Sequence, residues 1–163
     1  MPAGFSTDGF IIDQNCFAAY PYRTITSDIN GCGWIAAYNL RHALGQAADF
    51  DAVRAEMDGM FLIKMPGPTT MRVMLRYLGR YVPSFRLARG RSAALTAAGE
   101  SAAGIFRYRE EGIPHFVTYV RNEGDRFRFF NVSDGLEDYC CGMETFLREH
   151  CARGYTRVMA VDH

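Results

Sequence analysis

The apolar periodicity changes once along these 163 residues, and the order of that change constrains the fold. From Cys32 the run CGWIAAYNLRHALG carries Ile35, Ala36, Leu40, Ala43 and Leu44 at helical spacing. Asn30 is a possible cap for that helix and Gly45 a natural stop. The spacing predicts a second helix over 49–60, opened by Asp49 or Asp51. A third, MRVMLRYLGR, follows the turn MPGPTT. A strand over 84–89 and a short helix over 92–99 come next. The texture then becomes β: AGIFRY (103–108), HFVTYV (115–120) and RFRFFNV (126–132) are rich in aromatic and β-branched residues. The turn-like segments EEGIP and RNEGD between them make an antiparallel meander the natural reading. A helix over 143–152 and a strand over 155–161 close the chain. Helices first and strands second, with no βαβ rhythm, indicate a single α+β domain over 1–163. Residues 1–31, with Gly4, Gly9, Pro21 and Gly31, read as an extended arm.

Charge narrows the partners. Lys plus Arg and Asp plus Glu number 18 each, so the chain is formally neutral, which gives no support for a nucleic-acid partner. The arginine clusters (Arg86, Arg89, Arg91 and Arg121, Arg126, Arg128) have acidic residues nearby and read as solvated faces. No signal peptide and no apolar run of membrane-spanning length is visible, so no membrane is expected. The cysteines, Cys16, Cys32, Cys140, Cys141 and Cys151, are odd in number and lack framework spacing. That pattern points to a reducing, cytoplasmic setting rather than a disulfide scaffold. Cys140, Cys141, His150 and Cys151 lack the spacing that clamps zinc. No phosphate-cradling glycine loop appears, so neither a metal nor a cofactor is expected. Trp34 and Met57, Met60, Met65, Met71 and Met74 read as packing residues.

One cysteine stands apart. Cys32 lies between Gly31 and Gly33, where the arm becomes a helix. A helix N-terminus presents free N–H groups and the positive end of the macrodipole, which favour thiolate over thiol. Flanking glycines would let a substrate backbone approach closely. A thiolate nucleophile needs a base, and His115 opens a strand far downstream, the order expected of a Cys–His pair. The imidazole then needs an acceptor to hold its tautomer. Asn131 and Asp134, at the end of the next strand, are both candidates, and either also suits a turn. Antiparallel pairing about RNEGD sets position 115 opposite about 131–133. Asn131 is therefore the preferred partner, through its side-chain oxygen.

The segment DQNCFAAYPYRTITSDINGCGWIAAYN resembles the opening of bacterial papain-like cysteine peptidases of the C39-like, leader-processing group. GIFRYREEGIPHFVTYVRNEGDRFRFFNVSDG resembles their second half; residues 46–100 carry no resemblance. The resemblance implies a papain-like fold, with the cysteine at a helix N-terminus packed on a C-terminal antiparallel sheet. It also implies thiol-dependent hydrolysis of a peptide or related amide. Cys32 and His115 match the family's nucleophile and base, Asn131 its third member, and Gln14 the glutamine of its oxyanion hole. Two departures stand out. Gln14 lies far upstream of the cysteine, and the C39-like group has Asp where this chain has Asn131. A cell-wall amidase of the NlpC/P60 type has a similar helix and strand, though Gly31 replaces its usual Asp. A non-catalytic binding module on the same fold is the alternative of a different class.

Overall fold

The computed structural model describes residues 3–110, 112–132, 139–150 and 156–162. The arm is more structured than its composition suggests. A short 3-10 turn, Gln14–Phe17, is capped by the Asp13 side chain. A two-residue hairpin follows, β1 (Pro21–Tyr22) with β2 (Ile25–Thr26). It leads directly into α1 (Ser27–Asn30) and α2 (Cys32–Ala43). Gly31 between them keeps a right-handed helical backbone, so Cys32 follows a helical turn rather than an irregular arm. No side chain caps α2, so the expected cap at Asn30 is not used.

α3 (Phe50–Gly59) is opened by Asp49, whose carboxylate accepts from the Ala52 N–H. α4 (Met71–Tyr81) is opened in the same way by Thr70. β3 (Arg86–Arg89) and α5 (Arg91–Gly99) come next, then β4 (Ala103–Glu110), β5 (Ile113–Arg121) and β6 (Arg126–Phe130). β7 (Cys140–Gly142), α6 (Met143–His150) and β8 (Arg157–Val161) complete the described elements. The expected meander is present as β4–β5–β6, inside a six-stranded antiparallel sheet ordered β3-β8-β4-β5-β6-β7. β8 enters between β3 and β4, and the short β7 was not anticipated.

The period of two along the strands sorts the core into two layers. On one face Ile105, Phe116 and Met159 pack with α2, α3 and α4. On the other, Phe106, Tyr108, Val117, Tyr119 and Val158 pack with α5 and α6. The chain is thus α+β, with helices on both faces of one sheet. Every residue of α2 from Cys32 to Leu40 is buried, including Trp34, whose indole N–H donates to the Ser27 hydroxyl. Met57, Met60 and Met74 are core residues as expected, whereas Met65 is exposed. The arginine clusters are held by polar contacts: Arg86 pairs with Glu100 and Asp162, and Arg128 with Asp8. Among the described residues no helix is long and apolar enough to cross a membrane.

Leu40 has no exposed surface and sits at the centre of the larger core cluster. Leu40→Ala is expected to lower unfolding free energy by about 2–5 kcal/mol, measured by urea denaturation followed by circular dichroism.

Candidate active site

α2 is buried on all sides from Cys32 to Leu40, so its polar residues there must find partners inside the protein. Asn39 does so by copying a strand. Its side-chain oxygen accepts from the Ile11 N–H and its amide donates to the Ile11 carbonyl, both at 2.8 Å. That pair anchors the arm near the C-terminal end of α2. The stacking of Phe10 on Phe130, centroids 3.9 Å apart, ties the same stretch to β6. The arm then runs back toward the start of the helix. At its other end the Gln14 side-chain amide donates to the Asp28 carbonyl at 2.6 Å.

Gln14 and Asn131 are joined twice. The Gln14 backbone N–H donates to the Asn131 side-chain oxygen, and the Asn131 amide donates to the Gln14 side-chain oxygen, each at 3.1 Å. His115 completes the line: its Nε2 lies 2.9 Å from the Asn131 backbone carbonyl. The expected contact from His115 to the Asn131 side-chain oxygen is therefore replaced. The side chain is committed to Gln14, and the main chain takes the ring. The cause is local. The β5–β6 ladder ends at Thr118 opposite Phe130, and Asn131 adopts a left-handed backbone with φ 64°. Asn tolerates that conformation better than most residues. Asp134 lies outside the described residues.

A carbonyl only accepts, so the bond fixes Nε2 as protonated and leaves Nδ1 as the ring's basic nitrogen. The line of contacts brings Gln14, Asn131 and His115 together, and it ends on Asp28, four residues before Cys32. It does not bring His115 onto Cys32. The β4–β5 register is continuous, with Tyr108 opposite His115 and Arg107 opposite Phe116. Thr118 donates to the Ala36 carbonyl of α2 at 2.8 Å, which fixes Phe116 and Thr118 on the helix face. Alternation puts His115 on the other face, and its ring meets that of Tyr108 edge-on at 5.6 Å. Among the described residues, no hydrogen bond joins the Cys32 thiol to the His115 ring.

Cys32 itself is buried, at 4% exposure. Its neighbours explain both glycines without a substrate. A Cβ on Gly33 would stand 2.0 Å from the Thr69 hydroxyl oxygen, and one on Gly31 would stand 2.3 Å from the Ser27 carbonyl. The space expected for a substrate backbone at Gly31 and Gly33 is filled by the protein's own atoms. Thr69 also shares a hydrogen bond of 2.9 Å with the Tyr22 hydroxyl. Burial pushes the Tyr22 phenol far above its ordinary range, and a charged Cys32 would push it in the same direction. Tyr22 and Thr69 are thus packed together against Gly33, the residue that follows Cys32.

One residue escaped sequence reasoning. Asn30, two positions before Cys32, is 5% exposed, and its side-chain amide nitrogen has no hydrogen-bond partner among the described residues. Native structures rarely leave such a donor unpaired. The Gln14 amide, assigned to the oxyanion hole by resemblance, is by contrast engaged on the Asp28 carbonyl. Proximity to Cys32 was visible in the sequence. The missing partner was not.

No protein-family model matches the chain, and no curated protein matches its sequence.

Asn131 carries two separable burdens, its contacts to Gln14 and its left-handed backbone. Asn131→Gly and Asn131→Ala both lose the contacts, but only alanine also bears the backbone penalty. Alanine is expected to be the less stable variant by about 1–2 kcal/mol in thermal or urea unfolding. Equal stability would mean that the left-handed conformation carries no penalty.

Proposed function

We propose that the protein hydrolyses a peptide or related amide bond through Cys32, with His115 as general base and acid. The observation that carries this reading is the hydrogen-bonded line from the His115 ring through Asn131 and Gln14 to Asp28, one helical turn before Cys32. It supports a ring whose tautomer is preset, with Nδ1 as the nitrogen that takes the thiol proton. The Cys32 sulfur forms a bond to the carbonyl carbon, and the proton held on His115 passes to the departing amine as the C–N bond breaks. Water then adds to the thioester, releasing the acid and restoring the thiol. The oxyanion is held by the Cys32 backbone N–H and by Asn30, whose unpaired amide donor is available where that of Gln14 is engaged. The fold class of this reading is papain-like: a cysteine at a helix start against an antiparallel sheet.

A second reading, a non-catalytic binding module on the same scaffold, is favoured by the burial of Cys32 and by the face that His115 occupies. Thiol reactivity separates the two. Iodoacetamide near pH 6, read by mass spectrometry, is expected to label Cys32 ahead of Cys16 and Cys141. Cys16 is exposed, but partial burial and the Asp13 carboxylate beside it raise its pKa. Burial does the same for Cys141. Both therefore remain thiols at that pH, and only the thiolate reacts. His115→Ala should slow the Cys32 label. Uniformly slow labelling that ignores His115 would instead establish the binding module.

Asn30→Ala supplies an independent check. Removing a donor without a partner is expected to cost less than about 1 kcal/mol of stability. Turnover of a fluorescence-quenched peptide library should nonetheless fall by about 10²-fold or more, in kcat rather than KM. Unchanged kcat would return the oxyanion role to Gln14.

A further inference from the structure

Residues 46–100 carry no family resemblance, yet with Arg23 they build an open hollow of about 250 Å³. Phe61, Leu62 and Val73 supply apolar surface, and Arg23, Arg72 and Arg76 supply cationic surface. Leu62 and Ile63 on its rim are 85% and 69% exposed, an unusual state for adjacent large aliphatic residues. The hollow adjoins the Thr69–Tyr22 pair, packed on Gly33 next to Cys32, through two covalent steps. Thr70 lines it while Thr69 sits on Gly33, and Arg23 lines it while Tyr22 bonds Thr69.

Its charge is not compensated by the surrounding residues. Arg80, one turn beyond Arg76 on α4, pairs with Glu56, but Arg72 and Arg76 are in no ion pair among the described residues. Asp58, the carboxylate bonded to the Arg23 backbone N–H, also accepts from Lys64. Arg23 holds two backbone carbonyls and lies over the Phe61 ring at 4.1 Å, yet its Nε is buried without a partner among the described residues. Arg72 stands in the first turn of α4, where the helix dipole disfavours a cation and no acidic residue offsets it. A cationic rim that works against its own helix is accounted for by an anion that binds there.

We propose that the hollow is the substrate-selecting site, and that it takes an extended peptide segment in which a large apolar side chain is adjacent to an acidic one. Its volume falls below the roughly 300–1,000 Å³ that encloses a whole small ligand, so it receives a side chain of a larger molecule. The apolar floor takes the aliphatic group, and the Arg72–Arg76 pair, on one face of α4 at a spacing of four residues, takes the carboxylate. The assignment of that peptide as substrate rests on the hydrolytic reading above; the binding itself does not.

The test uses the full chain carrying Cys32→Ala, so that nothing is cleaved, and fluorescein-labelled octapeptides read by anisotropy. A peptide with a leucine–glutamate pair should bind about five- to tenfold more tightly than its leucine–glutamine and alanine–glutamate counterparts. Arg72→Glu with Arg76→Glu should abolish that preference, while Tm holds or rises because an acidic residue suits the start of α4. A leucine–glutamine peptide that binds equally well overturns the proposal. So does tighter capture by phosphatidylglycerol vesicles or by a single-stranded oligonucleotide. Peptide binding with an inert Cys32 removes the hydrolytic reading and leaves the hollow's ligand intact. A reactive Cys32 with no acidic preference does the reverse.

Discussion

The structure depends on the burial of α2 from Cys32 to Leu40. That stretch has no solvent-facing side and must be surrounded, and each neighbour that surrounds it is fixed by what α2 presents there. Trp34, Ile35, Ala37 and Leu40 have no exposed surface. Ala36 lends its carbonyl to Thr118, which sets the sheet's distance and face. Asn39, polar and wholly buried, needs both a donor and an acceptor, and only main chain lying alongside supplies the pair with that geometry. The arm is therefore a structural component of the helix's environment. Its direction, antiparallel to α2, follows from two fixed points: Ile11 at Asn39 and Gln14 at Asp28.

That direction delivers Gln14 to the end of β6, where Asn131 meets it. A single residue does three things there. The left-handed backbone of Asn131 ends the strand, its side chain ties the arm to the sheet, and its carbonyl, no longer needed by the ladder, receives the His115 ring. These roles are compatible because they use different atoms. An aspartate at 131 would present two acceptors to a Gln14 oxygen and lose one of the two bonds. The amide at 131 thus has a structural reason, the doubly bonded pair with Gln14.

The long periodic elements were legible because burial repeats along them; α2, α3, α4 and the β4–β6 meander needed no tertiary information beyond an apolar side. Caps such as Asp49 were legible for the same local reason. Elements of two to four residues, such as β1, β2, α1 and β7, have no period to read. The role of Gly33 was invisible because Thr69, the residue that excludes a Cβ, is distant in sequence. The hydrogen bond to His115 was placed on the right residue but on the wrong atom. Sequence distinguishes side chains, and here a main-chain carbonyl did the work. The face of His115 was not legible, because it follows from Thr118, three residues on, whose bond to the Ala36 carbonyl sets the helix side of β5.

The same register says which part of the site can move. Cys32 is locked, with Gly33 under Thr69, Gly31 under the Ser27 carbonyl, and α2 enclosed. His115 is not so placed. It is the third residue of β5, two after the exposed Ile113, on a stretch that β6 no longer pairs. Its backbone pairs there with β4 at the end of a hairpin, and its ring rests on the Asn131 carbonyl. Opening the last pairs of a hairpin loses a few hydrogen bonds of about 1 kcal/mol net each, far less than displacing a buried helix. A reaction that joins His115 to Cys32 must therefore move the β4–β5 hairpin end and leave the thiol where it is. A substrate drives that movement only by as much as it binds the joined form more tightly. On the hydrolytic reading, selection of the substrate and assembly of the Cys–His pair would then be one event.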